Sequence, residues 1–519
     1  MRKSVQLRLL LVVCAGLLTT NAKGELRNIE TGGAIEIYGA YYSGFFSDQD
    51  YVVWPNFLLD WRPIGNNGTS TYVDNDGDAN ATTFIEQRTK LYVRADFTRD
   101  ISAFVELDSV WTWGEDFRSD WRTGADTRAL FNEGNPEIFQ SYIEAREVLG
   151  HPLTLRIGRQ VLAFGDEWLV GSNPDPDPFT ETSFDAIRLT YEWGIATVDV
   201  WASQLSESGG REQDGDASFF GAYSSFDISP ALTLDLYYLF LRDAARVNDT
   251  QFTAPLEQLE DVLGLDDYDP SALHTAGVRV AGAWRSIDYR FEAAYQWGEA
   301  DALGATFRPF GVYGDNEAEF DTWGGVFELG YQFENRYSPR VYFGGHYFGA
   351  KDYRDLGADD WLNPFDRSDA SVAFNRLFSS YRATHFLDYS ALSNYWLIRA
   401  GIELALTDRL SASLDVLYHE VVEPFDAPAY AQVGDFRIPV APALPFLTEE
   451  GSDELGVEIM FAPEYRYSED LTFSMQLVYY FVGDAFEDGV FFDENGTRFI
   501  GGTGSDDAVS VTFLTSISF

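Results

Sequence analysis

The sequence predicts an all-β fold, a transmembrane antiparallel up-and-down β-barrel of about 18 strands, with short turns at one rim and long loops at the other. Three observations predict it. Segments of alternating apolar and polar residues recur along the 519 residues, and that period marks strands with one apolar and one polar face. The connections between them alternate strictly between long and short. The final segment, Asp507 to Phe519, is itself such a strand: Val509, Val511, Phe513, Thr515, Ile517 and Phe519 share one parity, and Ser510, Thr512, Leu514, Ser516 and Ser518 the other. In a membrane barrel the first face meets lipid and the second a watery lumen.

At the other end, Met1-Arg2-Lys3 and Arg8 precede the apolar run Leu9 to Val13, which continues through Leu17-Leu18 to the small-residue site Thr20-Asn21-Ala22. This pattern predicts a secretory signal peptide over residues 1–22 and a single barrel domain over 23–519. Cys14 is the one cysteine, so the mature chain has neither disulfides nor thiolate metal sites. Past the leader no run of eighteen apolar residues occurs, although aromatics reach 16%, which excludes a helical membrane protein and leaves a barrel open. The formal charge is −47 and Lys3, Lys23, Lys90 and Lys351 are the only lysines, a balance that argues against nucleic-acid partners. Nearly all the positive charge is therefore arginine, which suits planar recognition of carboxylates or phosphates.

Eighteen alternating segments lie near 32–46, 82–99, 101–114, 136–148, 153–162, 183–193, 195–206, 217–228, 231–242, 273–285, 286–298, 323–334, 339–350, 395–407, 409–421, 454–467, 471–483 and 507–519. Tyr41-Tyr42, Tyr237-Tyr238 and Tyr479-Tyr480 supply interfacial girdles. Every second connection is a short turn, such as Asp100, Gly194 or Asp408, while the others run through Asp, Glu, Gly, Asn and Pro. Short turns belong on the periplasmic side, so both termini are expected there, and an even strand number closes the sheet without an edge. Outer-membrane lipid and lipopolysaccharide are the expected surroundings.

Parity then sorts the charges. On the second segment Glu86, Arg88, Lys90, Tyr92, Arg94 and Asp96 oppose Ile85, Gln87, Leu91, Val93 and Ala95. The same rule turns inward Glu106, Asp108, Gln140, Glu144, Arg156, Arg188, Arg279, Asp288, Arg290, Glu292, Arg399, Glu403, Asp415 and Glu458. A lipid-facing Arg or Lys near the midplane costs about 2–4 kcal/mol, which constrains these assignments. Two readings of the resulting lumen stay open. Paired charges could brace the wall, or arginines left free could form a constriction for an anionic solute. Arg159 has outward parity beside Gly158, which places it at a strand end or bulge. In the loops, Asp74, Asp76 and Asp78 cluster oxygen ligands that could hold a structural calcium, though the glycine spacing departs from an EF-hand. No other cofactor is expected.

The block Leu155-Arg156-Ile157-Gly158-Arg159-Gln160, then Phe164-Gly165-Asp166-Glu167 with Leu169-Val170-Gly171, then Phe184-Asp185-Ala186-Ile187-Arg188-Leu189, is similar to the alginate-export family of outer-membrane barrels. Phe374-Asn375-Arg376-Leu377-Phe378, Leu455-Gly456-Val457-Glu458 and Val482-Gly483-Asp484-Ala485-Phe486 extend the match. The resemblance implies eighteen strands and an arginine-rich constriction that passes an anionic uronate polymer. It points to Arg156, Arg159, Asp166, Glu167, Asp185 and Arg188 as site residues. Periplasmic transport proteins are possible partners on the same ground. Trp168 departs from the pattern, standing where the family carries arginine. The periplasmic turns here all look short, so gating must come from extracellular loops folded inward, or be absent.

Three functions follow as alternatives. The first is a passive outer-membrane channel for an anionic polysaccharide or oligosaccharide. The second is a general or cation-preferring porin whose acidic mouths gather small cations. The third, an outer-membrane hydrolase, lacks sequence support, because His151, His274, His346, His385 and His419 fall in no Ser/His/Asp pattern. The expectation is a non-enzyme.

Overall fold

In the computed structural model the described residues are 26–43, 81–113, 136–172, 179, 181–206, 217–244, 271–299, 318–350, 370–382, 384–386, 393–423, 426–428, 430–433, 436–439, 448–450, 452–484 and 507–519. The leader, residues 1–22, lies outside them, as do Asp74, Asp76 and Asp78.

Eighteen antiparallel strands close into one barrel: β1 (Asn28–Ser43), β2 (Ala81–Asp96), β3 (Ile101–Thr112), β4 (Glu137–Ala145), β5 (Leu153–Gln160), β6 (Phe184–Trp193), β7 (Ala196–Ser206), β8 (Ala217–Ser229), β9 (Leu232–Asp243), β10 (Ser271–Trp284), β11 (Ile287–Glu299), β12 (Ala318–Gln332), β13 (Arg340–Phe348), β14 (Tyr395–Ala405), β15 (Leu410–Val421), β16 (Glu454–Arg466), β17 (Leu471–Val482) and β18 (Ala508–Ser518). Each pairs with its sequence neighbours, and β18 returns to β1 in the register Ala34↔Ser518 to Ser43↔Val509. The terminal strand thereby closes the wall, with Phe519 and Gly33 exchanging backbone hydrogen bonds of 2.9 and 3.0 Å. Closure satisfies every edge, which a bilayer demands because its core offers no water to unpaired amides.

Every predicted segment has its strand. The largest differences are at β1 and β12, which begin four and five residues before the predicted positions 32 and 323. In β1 the pair Gly32-Gly33 interrupts the alternation, yet their neighbours Asn28 to Thr31 still pair with Asp96 to Val93. Sequence patterning also missed a short segment, Ala370–Val372, that runs parallel to the start of β12, and two small two-stranded antiparallel sheets between β15 and β16.

The pleat divides the side chains as expected. Leu91, Val93, Ile143, Ile157, Ile187, Leu189 and Val200 stand exposed on the outer wall, while Arg88, Glu106, Glu144, Asp199, Asp235, Glu292, Asp415 and Glu458 are buried inside. The short turns lie at one rim; Gly194 takes φ 61 in the two-residue turn between β6 and β7, a conformation that suits glycine.

The described residues of two long connections fold into the lumen: L3 (161–172, 179 and 181–183) and L7 (349–350, 370–382, 384–386 and 393–394). L3 lays Phe164 on Trp201 and Tyr223 of the wall, with ring centroids 4.6 and 5.0 Å apart. L7 exchanges two bonds with the wall at Gln296 of β11, whose amide accepts from the Asn375 N–H and donates to its carbonyl, each at 2.7 Å. The loops then join each other. Val170 bridges Phe378 in parallel, Gly171 donates to the Phe378 carbonyl at 2.7 Å, and Phe378 donates to Leu169 at 2.9 Å. Trp168, only 1% exposed, packs between Phe348 and Phe374. An arginine there would be a charge in an aromatic pocket; tryptophan instead packs the L3–L7 clasp against the wall.

Candidate functional site

The lumen wall carries its cations in three groups. On β2, Arg88 binds Asp108 of β3 and Glu181 of L3, each at 2.6 Å, and Lys90 reaches the second oxygen of Glu181 at 2.6 Å. Burial alone would raise the Glu181 carboxyl, but the hydrogen bonds and charges of Arg88 and Lys90 outweigh it and hold the group below the ordinary carboxylate range. L3 is thus tied to the wall through an anion.

The second group faces it across the lumen. Asp166 of L3 takes a two-pronged contact from Arg279 of β10, both bonds 2.9 Å, and lies 3.6 Å from Arg290 of β11. Arg279 also binds Asp235 of β9 at 2.8 Å. Arg290 donates to the Tyr381 hydroxyl of L7 and lies 3.7 Å from Glu328. Farther round, Arg399 of β14 binds Asp415 at 2.7 Å. Arg340 of β13 serves Glu328 at 2.7 Å and Glu403 at 3.2 Å, besides Asp288.

The third group is differently arranged. Arg156 of β5 and Arg188 of β6 are direct register partners, so two arginines occupy neighbouring positions on the lumen face. Each is drawn away from the other: Arg156 to Glu144 of β4 at 2.6 Å, Arg188 to Asp199 of β7 at 2.8 Å. Glu144 is shared with Arg146 at 2.7 Å and approached by Arg94 at 3.9 Å, so one carboxylate answers three arginines. Arg156 spends Nε and Nη2 on Glu144, and Arg188 spends Nε on Asp199. Among the described residues, Nη1 of Arg156 and both terminal nitrogens of Arg188 make no hydrogen bond. The two residues line an open recess of about 770 Å³ at the short-turn rim, with Glu144, Arg146, His151 and Thr190.

Most predicted lumen residues therefore face inward: Arg88, Lys90, Arg94, Arg156, Arg188, Arg279, Arg290 and Arg399 on the wall, and Asp166 from L3. Two do not. Arg159 and Asp185 share the parity of the exposed Ile157 and Ile187 and bind each other through two 2.9 Å bonds on the outer face. The continuous β5–β6 register keeps the pleat in step past Gly158, so their proximity to the family motif did not bring them inside. Glu167 is in neither wall: at φ 58 it turns L3, its carbonyl accepts from Ser380 at 3.0 Å, and its carboxylate accepts from Ser172 at 3.4 Å. Sequence reasoning missed Glu181 and Tyr381, since loop residues have no parity to read. Arg340 was missed because it opens its strand beside a turn. Among the described residues no cluster of three or more His, Cys, Asp or Glu could hold a metal ion.

The model of the alginate export family matches residues 74–495. In structure the chain is similar to OccAB1 of Acinetobacter baumannii, with TM-score 0.50, 12% identity, and coverage of 96% of this chain and 98% of that one. It is likewise similar to OccK8 (OprE) of Pseudomonas aeruginosa, with TM-score 0.50, 10% identity, and coverage of 96% and 99%. At such identities the likeness concerns the barrel alone. No curated protein matches the sequence.

Proposed function

The chain belongs to the alginate-export family and is a passive outer-membrane channel; we propose that its solute is an anionic polysaccharide or oligosaccharide, received between Arg156 and Arg188. The observation that carries this reading is their register pairing, with guanidinium donors that no described residue accepts from. Like charges placed directly opposite one another in a sheet are destabilising. A carboxylate entering between them relieves that repulsion and accepts hydrogen bonds from guanidinium nitrogens already oriented by Glu144 and Asp199. Planar, permanently charged groups suit the carboxylates of a uronate chain, and the short-turn rim is where a periplasmic polymer would arrive.

Across the lumen the same chemistry has an internal occupant. Asp166 fills the fork of Arg279 and approaches Arg290, so a passing carboxylate there exchanges with one the protein supplies. Exchange of like for like keeps the path shallow, as conduction requires binding weak enough to leave.

One feature favours a cation-preferring porin as the alternative. The wall cations, Arg156 and Arg188 included, are engaged by carboxylates, and the formal charge is −47. The reversal potential of the purified barrel under a potassium chloride gradient separates the two. Anion preference that falls in an Arg156→Gln/Arg188→Gln variant supports the saccharide channel; cation preference in the parent protein rejects it.

A further inference from the structure

Beside the arginine pair the lumen wall carries a row of rings that the charge argument leaves unused. Tyr92 of β2, Phe104 of β3 and Tyr142 of β4 lie on adjacent strands, all of inward parity and all half-buried. Their centroids are 5.6 and 5.2 Å apart with planes inclined by 26° and 23°, an offset-parallel row. The guanidinium carbon of Arg156 ends the row 4.3 Å from the Tyr142 centroid. At the other end Gly32 of β1 makes room: a Cβ there would fall 2.6 Å from the Tyr92 hydroxyl and 2.7 Å from two ring carbons. Tyr92 therefore lies down over the glycine backbone rather than standing into the channel.

Polar groups run along both sides of the row. Toward the loops, Lys90 approaches Glu106 at 3.8 Å and Gln140 donates to Glu106 at 2.6 Å. Toward the short turns stand Arg94 and Glu144, 3.9 Å apart. Rings flanked by donors and acceptors on two sides match the two surfaces of a pyranose, an apolar C–H face and a hydroxyl-bearing rim. Dispersion holds the face and hydrogen bonds hold the rim.

We infer that Tyr92, Phe104 and Tyr142 form a sugar-stacking track that delivers the saccharide to Arg156, so that the channel recognises pyranose rings as well as charge. This rests on the saccharide reading above. The track selects a ringed polyanion over an unringed one, which the arginines alone cannot do.

The test is current block in planar bilayers by two polyanions of equal carboxylate number, tetragalacturonate and tetra-aspartate blocked as its N-acetyl amide. Tyr92→Leu/Tyr142→Leu keeps apolar volume and removes two ring faces; it is expected to shorten tetragalacturonate block about tenfold and leave tetra-aspartate block within about twofold. Equal loss for both probes, or no loss for either, overturns the track while leaving the saccharide channel standing. Absence of tetragalacturonate block in the parent protein rejects the channel reading itself. Should the double variant not assemble into a conducting barrel, Phe104→Leu supplies the same comparison.

Discussion

Arg156 and Arg188 face each other across the β5–β6 ladder, and each leans away toward a carboxylate on its far side. Glu144 and Asp199 are almost fully buried, at 4% and 5% exposure, so both guanidinium groups are held from behind, while the rings of Tyr142 and Phe164 lie 4.3 and 5.0 Å from the guanidinium carbons of Arg156 and Arg188. Such an arrangement spends sheet stability on a gap between two cations. It is the one place on the described wall where neighbouring strands set arginine against arginine.

Replacing Arg188 by Gln should move the reversal potential toward cation preference. The loss of like-charge opposition should return about 0.2–1 kcal/mol to the sheet. Against this, Asp199 loses its cation and keeps only Thr190 as a described side-chain donor, so net thermal stability is expected to fall. Salt-gradient electrophysiology and thermal unfolding in detergent read the two effects separately. A variant with unchanged selectivity would remove Arg188 from the path.

Asp166→Asn empties the fork of Arg279 of its charge and weakens the attraction to Arg290. Anion preference should rise, and block by a uronate oligomer should lengthen, since the competing internal carboxylate is gone. Unchanged or reduced anion preference would mean that Asp166 only ties L3 to the wall.

Trp168→Ala addresses the clasp. Truncating a fully buried tryptophan generally costs about 3–5 kcal/mol, and here the loss falls on the L3–L7 junction rather than on the strand ladder. The variant should still form a barrel, but with noisier and larger conductance and with earlier protease cleavage in L3 or L7. Quiet, parent-like traces would show that the clasp holds without its central ring.

Acid should loosen both loops. Glu181 has a lowered carboxyl pKa, so its contribution is complete above the ordinary carboxylate value and disappears as pH falls through the lowered one. In L7, burial pushes His385 from 6.5 down to about 4, against a raising hydrogen bond with Gln476 and with a further lowering by Arg382. Tyr42 of β1 stacks on its ring, and Glu458 of β16 accepts its backbone N–H at 2.8 Å. The packed loop refuses a proton that a released loop accepts, so L7 packing weakens as pH drops from about 6.5 toward about 4. Conductance fluctuations should therefore increase over that interval and abate in His385→Phe. A flat pH profile in the parent protein contradicts this.

Strand number, closure and the inward set of charges were legible because a membrane wall imposes a strict two-residue period on every strand. Leu91 and Val93 against Arg88 and Lys90 leave no second solution. The same logic correctly gave Arg159 outward parity, and the family motif around it pulled the other way; the pleat decided. What the sequence withheld lies in the loops. Phe164 to Gly171 and Phe374 to Phe378 could be seen as two motifs, but nothing in their spacing says that Val170 and Phe378 meet inside the barrel. Nor could alternation reveal that Glu144 serves three arginines, because partner sharing depends on strand register, which turn lengths fix only approximately.

The most direct test is release of entrapped solute from proteoliposomes carrying the full barrel, comparing tetragalacturonate with the uncharged tetrasaccharide maltotetraose. The account predicts faster release of the anionic sugar by the parent protein and loss of that preference in Arg156→Gln/Arg188→Gln. Equal release of the two sugars by the parent protein, or a preference that survives in the double variant, would contradict it.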